Sequence, residues 1–179
     1  MIKRVADWSG SSGGWVVSET GRTIIGIMGG SICDARTAEK AHDLGRRLAQ
    51  AGYVVLCGGG TGVMEAVSRG AREGGGLVVG IMPGSDARQS PPNPYVDIPI
   101  FTGISHARNL VNVLSAAVVV AIGGAHGTLS EIALAIKAGK PVVLLDSWEF
   151  RLPGERPSPL VHRVTSPEEA AQAVDRLLG

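Results

Sequence analysis

The nine residues from Gly123 to Glu131, GGAHGTLSE, carry the clearest chemical signal in the chain. They follow an apolar run, Ala117–Ala121, that reads as a strand covered on both faces. They lead into Leu129–Ala138, where Leu129, Ile132, Ala133 and Ile136 recur at helical spacing. A strand, a glycine loop and a helix start, in that order, present free backbone N–H groups and the positive end of a helix dipole. Gly123, Gly124, Ala125, His126, Gly127 and Thr128 therefore read as a cradle for a phosphate. Two earlier apolar runs end in the same way. Thr23–Met28 is followed by Gly29, Gly30 and Ser31, and Tyr53–Cys57 by Gly58, Gly59, Gly60 and, after Thr61, Gly62.

The familiar glycine signatures do not fit. Val63 stands where the third glycine of GxGxxG would follow Gly58 and Gly60, no lysine follows any of the loops as in GxxxxGK[ST], and GxSxG is absent. Hydride transfer on a dinucleotide, ATP hydrolysis and serine hydrolysis all lose support.

The elements that must position these turns alternate along the chain. A helix over Ala35–Ala51 places Ala38, Ala41, Leu44, Leu48 and Ala51 on one stripe and stops at Gly52. Further helices are predicted over Val63–Glu73 and Ser105–Ser115, with strands at Leu77–Ile81, Val96–Phe101 (interrupted by Pro99) and Pro141–Leu145. Residues 85–95 hold Pro91, Pro92 and Pro94 and read as a loop that could lie over the site as a lid; Trp148–Leu160 reads as another loop. Ser166, Pro167 and Glu169 supply an N-cap, a first-turn proline and a capping-box glutamate for a last helix ending near Leu178. This alternation specifies an α/β protein, a three-layer α/β/α Rossmann-like domain with a mainly parallel sheet, over 23–179. Ligands of such domains bind at the carboxyl ends of the strands, where every glycine turn falls. Residues 1–22, with Trp8 and Trp15 flanking SGSSGG, read as a separate arm or loose hairpin.

Composition narrows the function. With 44% hydrophobic and 4% aromatic residues in a chain of 179, the core is aliphatic and of single-domain size. A net charge of +1 without a basic stripe argues against a nucleic-acid partner. Cys33 and Cys57 lie outside any CxxC spacing, and the four histidines show no paired ligand pattern, so free thiols and neither metal nor cofactor are expected. No apolar run approaches the ~18 residues of a membrane span, and 1–22 lacks the apolar core of a leader; a soluble, cytoplasmic protein is expected.

Taken together, GGGTGVMEA (Gly58–Ala66), GIMPG (Gly80–Gly84), Arg108 and GGAHGTLSE resemble the Lonely Guy family, long mislabelled lysine decarboxylases. The resemblance runs from about Thr23 to Leu145. The hallmark of that family is PGGxGTxxE, preceded by an arginine in an RK pair, which Arg108 matches. Here Gly123 replaces the proline, Ala125 a glycine and Asn109 the lysine, and ARN with GGxxGTLSE is closer to a sister group, the molybdenum cofactor carrier proteins.

The Lonely Guy resemblance implies cleavage of the N-glycosidic bond of a nucleoside 5'-monophosphate, through a cation-like sugar that a carboxylate stabilises. Glu131 would be that carboxylate and Arg108 a fixed cation orienting the substrate. The sister-group resemblance implies a carrier of a pterin phosphate without chemistry. Either implies a ligand-binding set of Gly29, Gly30, Ser31, Gly58, Gly59, Gly60, Gly62, Met64, Met82, Asn109, Gly123, Gly124, Ala125, His126, Gly127 and Thr128. It also implies a homodimer or larger homo-oligomer, for which the apolar residues Leu110, Val111, Val113 and Leu114 offer a helix face. Other readings compete: Thr128 to Glu131 is also a capping box, the Gly58–Gly62 segment also a tight turn, His126 also a solvated loop residue, and His106 reads as exposed helix.

Overall fold

The computed structural model describes residues 21–148 and 158–179, so the arm expected over 1–22, apart from its last two residues, and most of the loop after Trp148 lie outside the described residues. Seven strands form one sheet in which every pairing is parallel: β1 (Ile24–Gly29), β2 (Val54–Cys57), β3 (Val78–Met82), β4 (Ile98–Phe101), β5 (Val118–Ile122), β6 (Val142–Leu145) and β7 (Val161–Val164). Their order is β4-β3-β2-β1-β5-β6-β7. Helices α1 (Ala35–Gln50), α2 (Val63–Glu73) and α5 (Pro167–Leu178) cover one face; α3 (Arg108–Ser115) and α4 (His126–Lys137) lie on the other.

The core divides by strand parity. Ile25, Ile27, Val55, Val118, Val120 and Val143 point toward α1, α2 and α5, while Met28, Val119, Ala121, Val142 and Leu144 meet Val113, Ile132 and Ala135 of α3 and α4. β1, β2, β3, β5 and β6 are buried on both faces, hence their unbroken apolar sequences. Two helices start on the side chains that the sequence offers. Asp34 Oδ1 accepts from Thr37 N at 2.7 Å ahead of α1. Ahead of α5, Ser166 Oγ accepts from Glu169 N at 3.2 Å while Glu169 Oε2 reaches back to Thr165 N at 2.8 Å.

The structure departs from the sequence reading at four places. β7 was not foreseen, because His162 and Arg163 break the apolar pattern; an edge strand covered on one side needs no such pattern. β4 forms where expected but begins at Ile98 rather than Val96, with Pro99 tolerated inside it because β4 is the opposite edge. The predicted Ser105–Ser115 helix divides into a 3-10 turn, Ser105–Ala107, and α3. Finally, α4 begins at His126 rather than Leu129, since its entry is set by the extended backbone of Ala125 and not by a capping side chain.

Lys140, fully buried, closes the far end of α3, where its Nζ donates to Leu114 O at 3.1 Å and to Ala116 O. Among the described residues no helix is long and apolar enough to cross a membrane.

Candidate functional site

Strand order reverses between β1 and β5. α1 and α2 follow β1 and β2 to one face, and α4 follows β5 to the other, so a crevice opens at the carboxyl end of the β1–β5 pair. A cavity of about 210 Å³ occupies it. One wall is the turn Gly29, Gly30 and Ser31 with Gly58 and Met64 beside it. A second is His106, Arg108 and Asn109, and the third is Ala125, Gly127, Thr128 and Glu131 of the β5–α4 junction.

The start of α4 is open. No side chain caps it, and its first backbone bond runs from Leu129 N to Ala125 O at 3.1 Å. The N–H groups of His126, Gly127 and Thr128 thus have no partner within the helix and, with the helix dipole, favour an anion. Next to it, the Arg108 guanidinium lies over Gly58, where an added Cβ would fall 2.1 Å from Nη1 and 2.6 Å from Nη2. Only a residue without a side chain leaves the guanidinium that position. The approach to Arg108 is fixed by bonds from Thr102 N to Met82 O, Gly103 N to Gly84 O and Ser105 N to Pro83 O, and Ser105 has a φ of +52°. A left-handed serine three residues before a cavity-lining arginine places local strain at this site.

Glu131 is 6% exposed. Its Oε1 accepts from Asn112 Nδ2 at 2.8 Å. Burial pushes the carboxyl above its ordinary range, against the bond from Asn112 and the charge of Arg108, which act the other way. The capping-box alternative does not hold. With Ala125 as the N-cap, Thr128 is the third residue of α4 and Glu131 the sixth, and the carboxyl turns sideways to α3 instead of back to the helix start. Asn109 Nδ2 donates to Ser130 Oγ at 3.0 Å, which in turn donates to Gly127 O at 2.7 Å, so α3 braces the first turn of α4.

The structure thus brings Gly29, Gly30, Ser31, Gly58, Met64, Arg108, Asn109, Ala125, Gly127, Thr128 and Glu131 to one cavity. The other expected residues stand around it. Gly59 packs on Met82, and with Gly60 it is held from behind by Asn93, whose Nδ2 donates to Gly59 O at 3.2 Å and to Gly60 O at 2.9 Å. Asn93 belongs to the loop expected as a lid, which instead ties down the β2–α2 turn. Gly62 presses on the backbone of Gly30 and Ser31. Gly124, with a φ of +99°, lies against the Thr128 side chain, and the carbonyl of Gly123 accepts from Ser147 Oγ at 2.6 Å. His126 points outward to the Trp148 ring, 6.2 Å away between centroids. Four residues were missed as part of the site: Ile27, Met28 and His106, which line the cavity, and Asn112, which holds Glu131. For Asn112 the available signal was a polar side chain one helical turn from Arg108, set among Leu110, Val111, Val113 and Leu114.

Among the described residues no group of three or more His, Cys, Asp or Glu is placed to hold a metal ion. The SLOG cluster4 family model matches residues 22–173. The chain belongs to the SLOG cluster4 family. An uncharacterized protein of Archaeoglobus fulgidus is 43% identical over 138 residues, 73% of this chain and 89% of that protein. The molybdenum cofactor binding protein of Rippkaea orientalis is a close structural neighbour of this SLOG cluster4 member: its TM-score is 0.79 at 36% identity, covering 90% of this chain and 100% of that one. The molybdenum cofactor carrier protein of Chlamydomonas reinhardtii gives a TM-score of 0.77 at 37% identity, covering 88% and 98%. The Rossmann-like α/β fold and the carrier-like branch of the superfamily are therefore as the motifs implied.

Two outcomes follow from this geometry. Gly58→Ala displaces the flexible end of Arg108 and not the backbone, so sulfate affinity measured by calorimetry falls about tenfold, ~1.4 kcal/mol, while the melting temperature moves by only a few degrees. Glu131→Gln raises the melting temperature of the ligand-free protein at neutral pH. The folded carboxyl titrates above its unfolded value of 4.5, so stability is lost as pH rises through the folded value; the gain from glutamine vanishes in melts below the unfolded value.

Proposed function

We propose that this chain binds a phosphorylated, nucleotide-like or pterin-like small molecule and acts as its carrier. The observation that carries the reading is the uncapped start of α4 opening on the same cavity as the Arg108 guanidinium, a pair of features suited to one phosphate. The likeness to proteins named for binding or carrying the molybdenum cofactor supports the carrier over the hydrolase. The residues present fit that class of ligand. Amides and Arg108 suit the phosphate, and the Glu131 carboxyl and Asn109 amide suit the polar edge of a pterin, which carries both donors and acceptors, the part of the molecule these side chains would orient. A cavity of about 210 Å³ is smaller than the ~300 Å³ at which drug-sized ligands become enclosed, so part of the ligand stays outside, as delivery to another protein requires.

Phosphoribohydrolase activity is the second reading, favoured by one observation: Arg108 and Glu131 line the same cavity. Incubation with AMP or an N6-modified AMP, with free base scored by chromatography, separates the two. The carrier reading expects no base release, and a pterin phosphate that binds wild type and loses about tenfold or more with Arg108→Ala. Base release that disappears in Glu131→Ala would establish the hydrolase instead.

The same reading includes a homodimer. Ile98 and Ile100 of β4, Ile104, and Leu110 and Leu114 of α3 are 44–53% exposed, more apolar side chain than a lone helix face warrants. Light scattering is expected to give a dimer for wild type and a monomer for Leu114→Glu; a monodisperse wild-type monomer would refute it.

A further inference from the structure

Asn112 has no exposed surface, and it sits where α3 packs on α4. Its Nδ2 donates to Glu131 Oε1, while its Oδ1 is a buried polar atom with no hydrogen-bond partner among the described residues. Buried acceptors are nearly always satisfied, so this one points to a second arrangement in which it is used. Glu131 itself provides that arrangement. A carboxylate accepts from the amide N–H; a carboxylic acid carries an O–H and needs an acceptor. A half-turn of the Asn112 amide exchanges Nδ2 and Oδ1 and offers that acceptor in the same place. A lysine or arginine there would serve only the carboxylate, and an apolar residue would serve neither form.

The other charged or titratable groups near Glu131 are few. Arg108 comes from α3, the buried Cys57 thiol from β2, and His106 from the turn before α3; the wall formed by Gly29, Gly30 and Ser31 carries no charge. An anion entering the cavity is attracted by Arg108 and the α4 amides and repelled by an ionised Glu131.

We propose that Asn112 is a positioning residue that holds Glu131 in either protonation state, so that occupation of the cavity by an anion is linked to uptake of one proton by Glu131. The proton comes from solvent, settles on a Glu131 carboxyl oxygen as the anion binds, and returns to solvent as it leaves. This rests on the reading of the α4 start and Arg108 as an anion site. Affinity for an anion of constant charge then rises as pH falls, by at most tenfold per pH unit from this proton.

Sulfate is the probe, because its charge is constant through the neutral range. Calorimetry in two buffers of different ionisation heat counts the protons taken up. Wild type is expected to take up a proton fraction that Glu131→Gln lacks. Independently, carbon NMR of the Glu131 carboxyl in the ligand-free protein reads its titration midpoint. Asn112→Leu removes the bond to either form and, because the charge-assisted bond to the carboxylate is the stronger, moves that midpoint upward, whereas Asn112→Ser, which both donates and accepts, moves it less; Asn112→Ala is read like the leucine variant should that one fail to fold. A midpoint unmoved in the leucine and alanine variants overturns the role of Asn112. Equal proton uptake in wild type and Glu131→Gln overturns the linkage and leaves the anion site standing. Failure of sulfate to bind wild type at any pH overturns the anion site and with it the linkage, and the NMR midpoint still decides whether Asn112 positions Glu131.

Discussion

The parallel pairing of β1 with β5, from Ile25 opposite Val118 to Gly29 opposite Ile122, is the constraint on which the rest of the molecule depends. It sets the ends of two strands side by side while their helices depart to opposite faces. The space between the departing chains cannot be filled by either helix, and so becomes the crevice. Everything that lines it is placed by reference to that pair. Val63 of α2 packs into the space that a side chain on Gly29 would take, which holds the β2–α2 turn against β1. α3 lies over β1 and braces α4, so Arg108, Asn109 and Glu131 reach the crevice from two helices and not from a loop. Positions held by packed helices are better defined than positions on free segments.

The site combines opposed demands. Free amides and an arginine attract a negative group, and a nearly buried carboxylate opposes one. A sequence selected only for stability would not bury Glu131 beside an amide with an idle oxygen. The arrangement makes sense in a chain whose cavity is to be filled by something with both an anionic and a hydrogen-bonding end, and it makes the empty protein the less comfortable of its states.

Most of the scaffold was legible because the buried strands left no room for ambiguity: VVVAI and VVLL can only be central strands between two helical layers. α2 was bounded to the residue by its glycines. The elements that escaped were those whose identity comes from their neighbours. VHRV becomes a strand because β6 offers it an edge, and His126 and Gly127 become helix because the chain leaving β5 already points that way. The glycine turns announced the site, yet glycine alone did not say which turn faces the ligand and which faces another turn. Gly58 and Gly59 are adjacent, and one lies under Arg108 while the other packs on Met82. The tie between Asn112 and Glu131 spans two helices, and no spacing rule reaches across that gap.

Lys140 gives the fold one more property. Its amine is sealed beneath the last carbonyls of α3 and has no exposed surface. Acylating enzymes and reagents that colour the exposed lysines reach this one only when the packing between the end of α3 and the α4–β6 turn opens. Its rate of labelling is therefore a clock for opening at the far end of the helix that carries Arg108, a native reporter that needs no probe to be introduced.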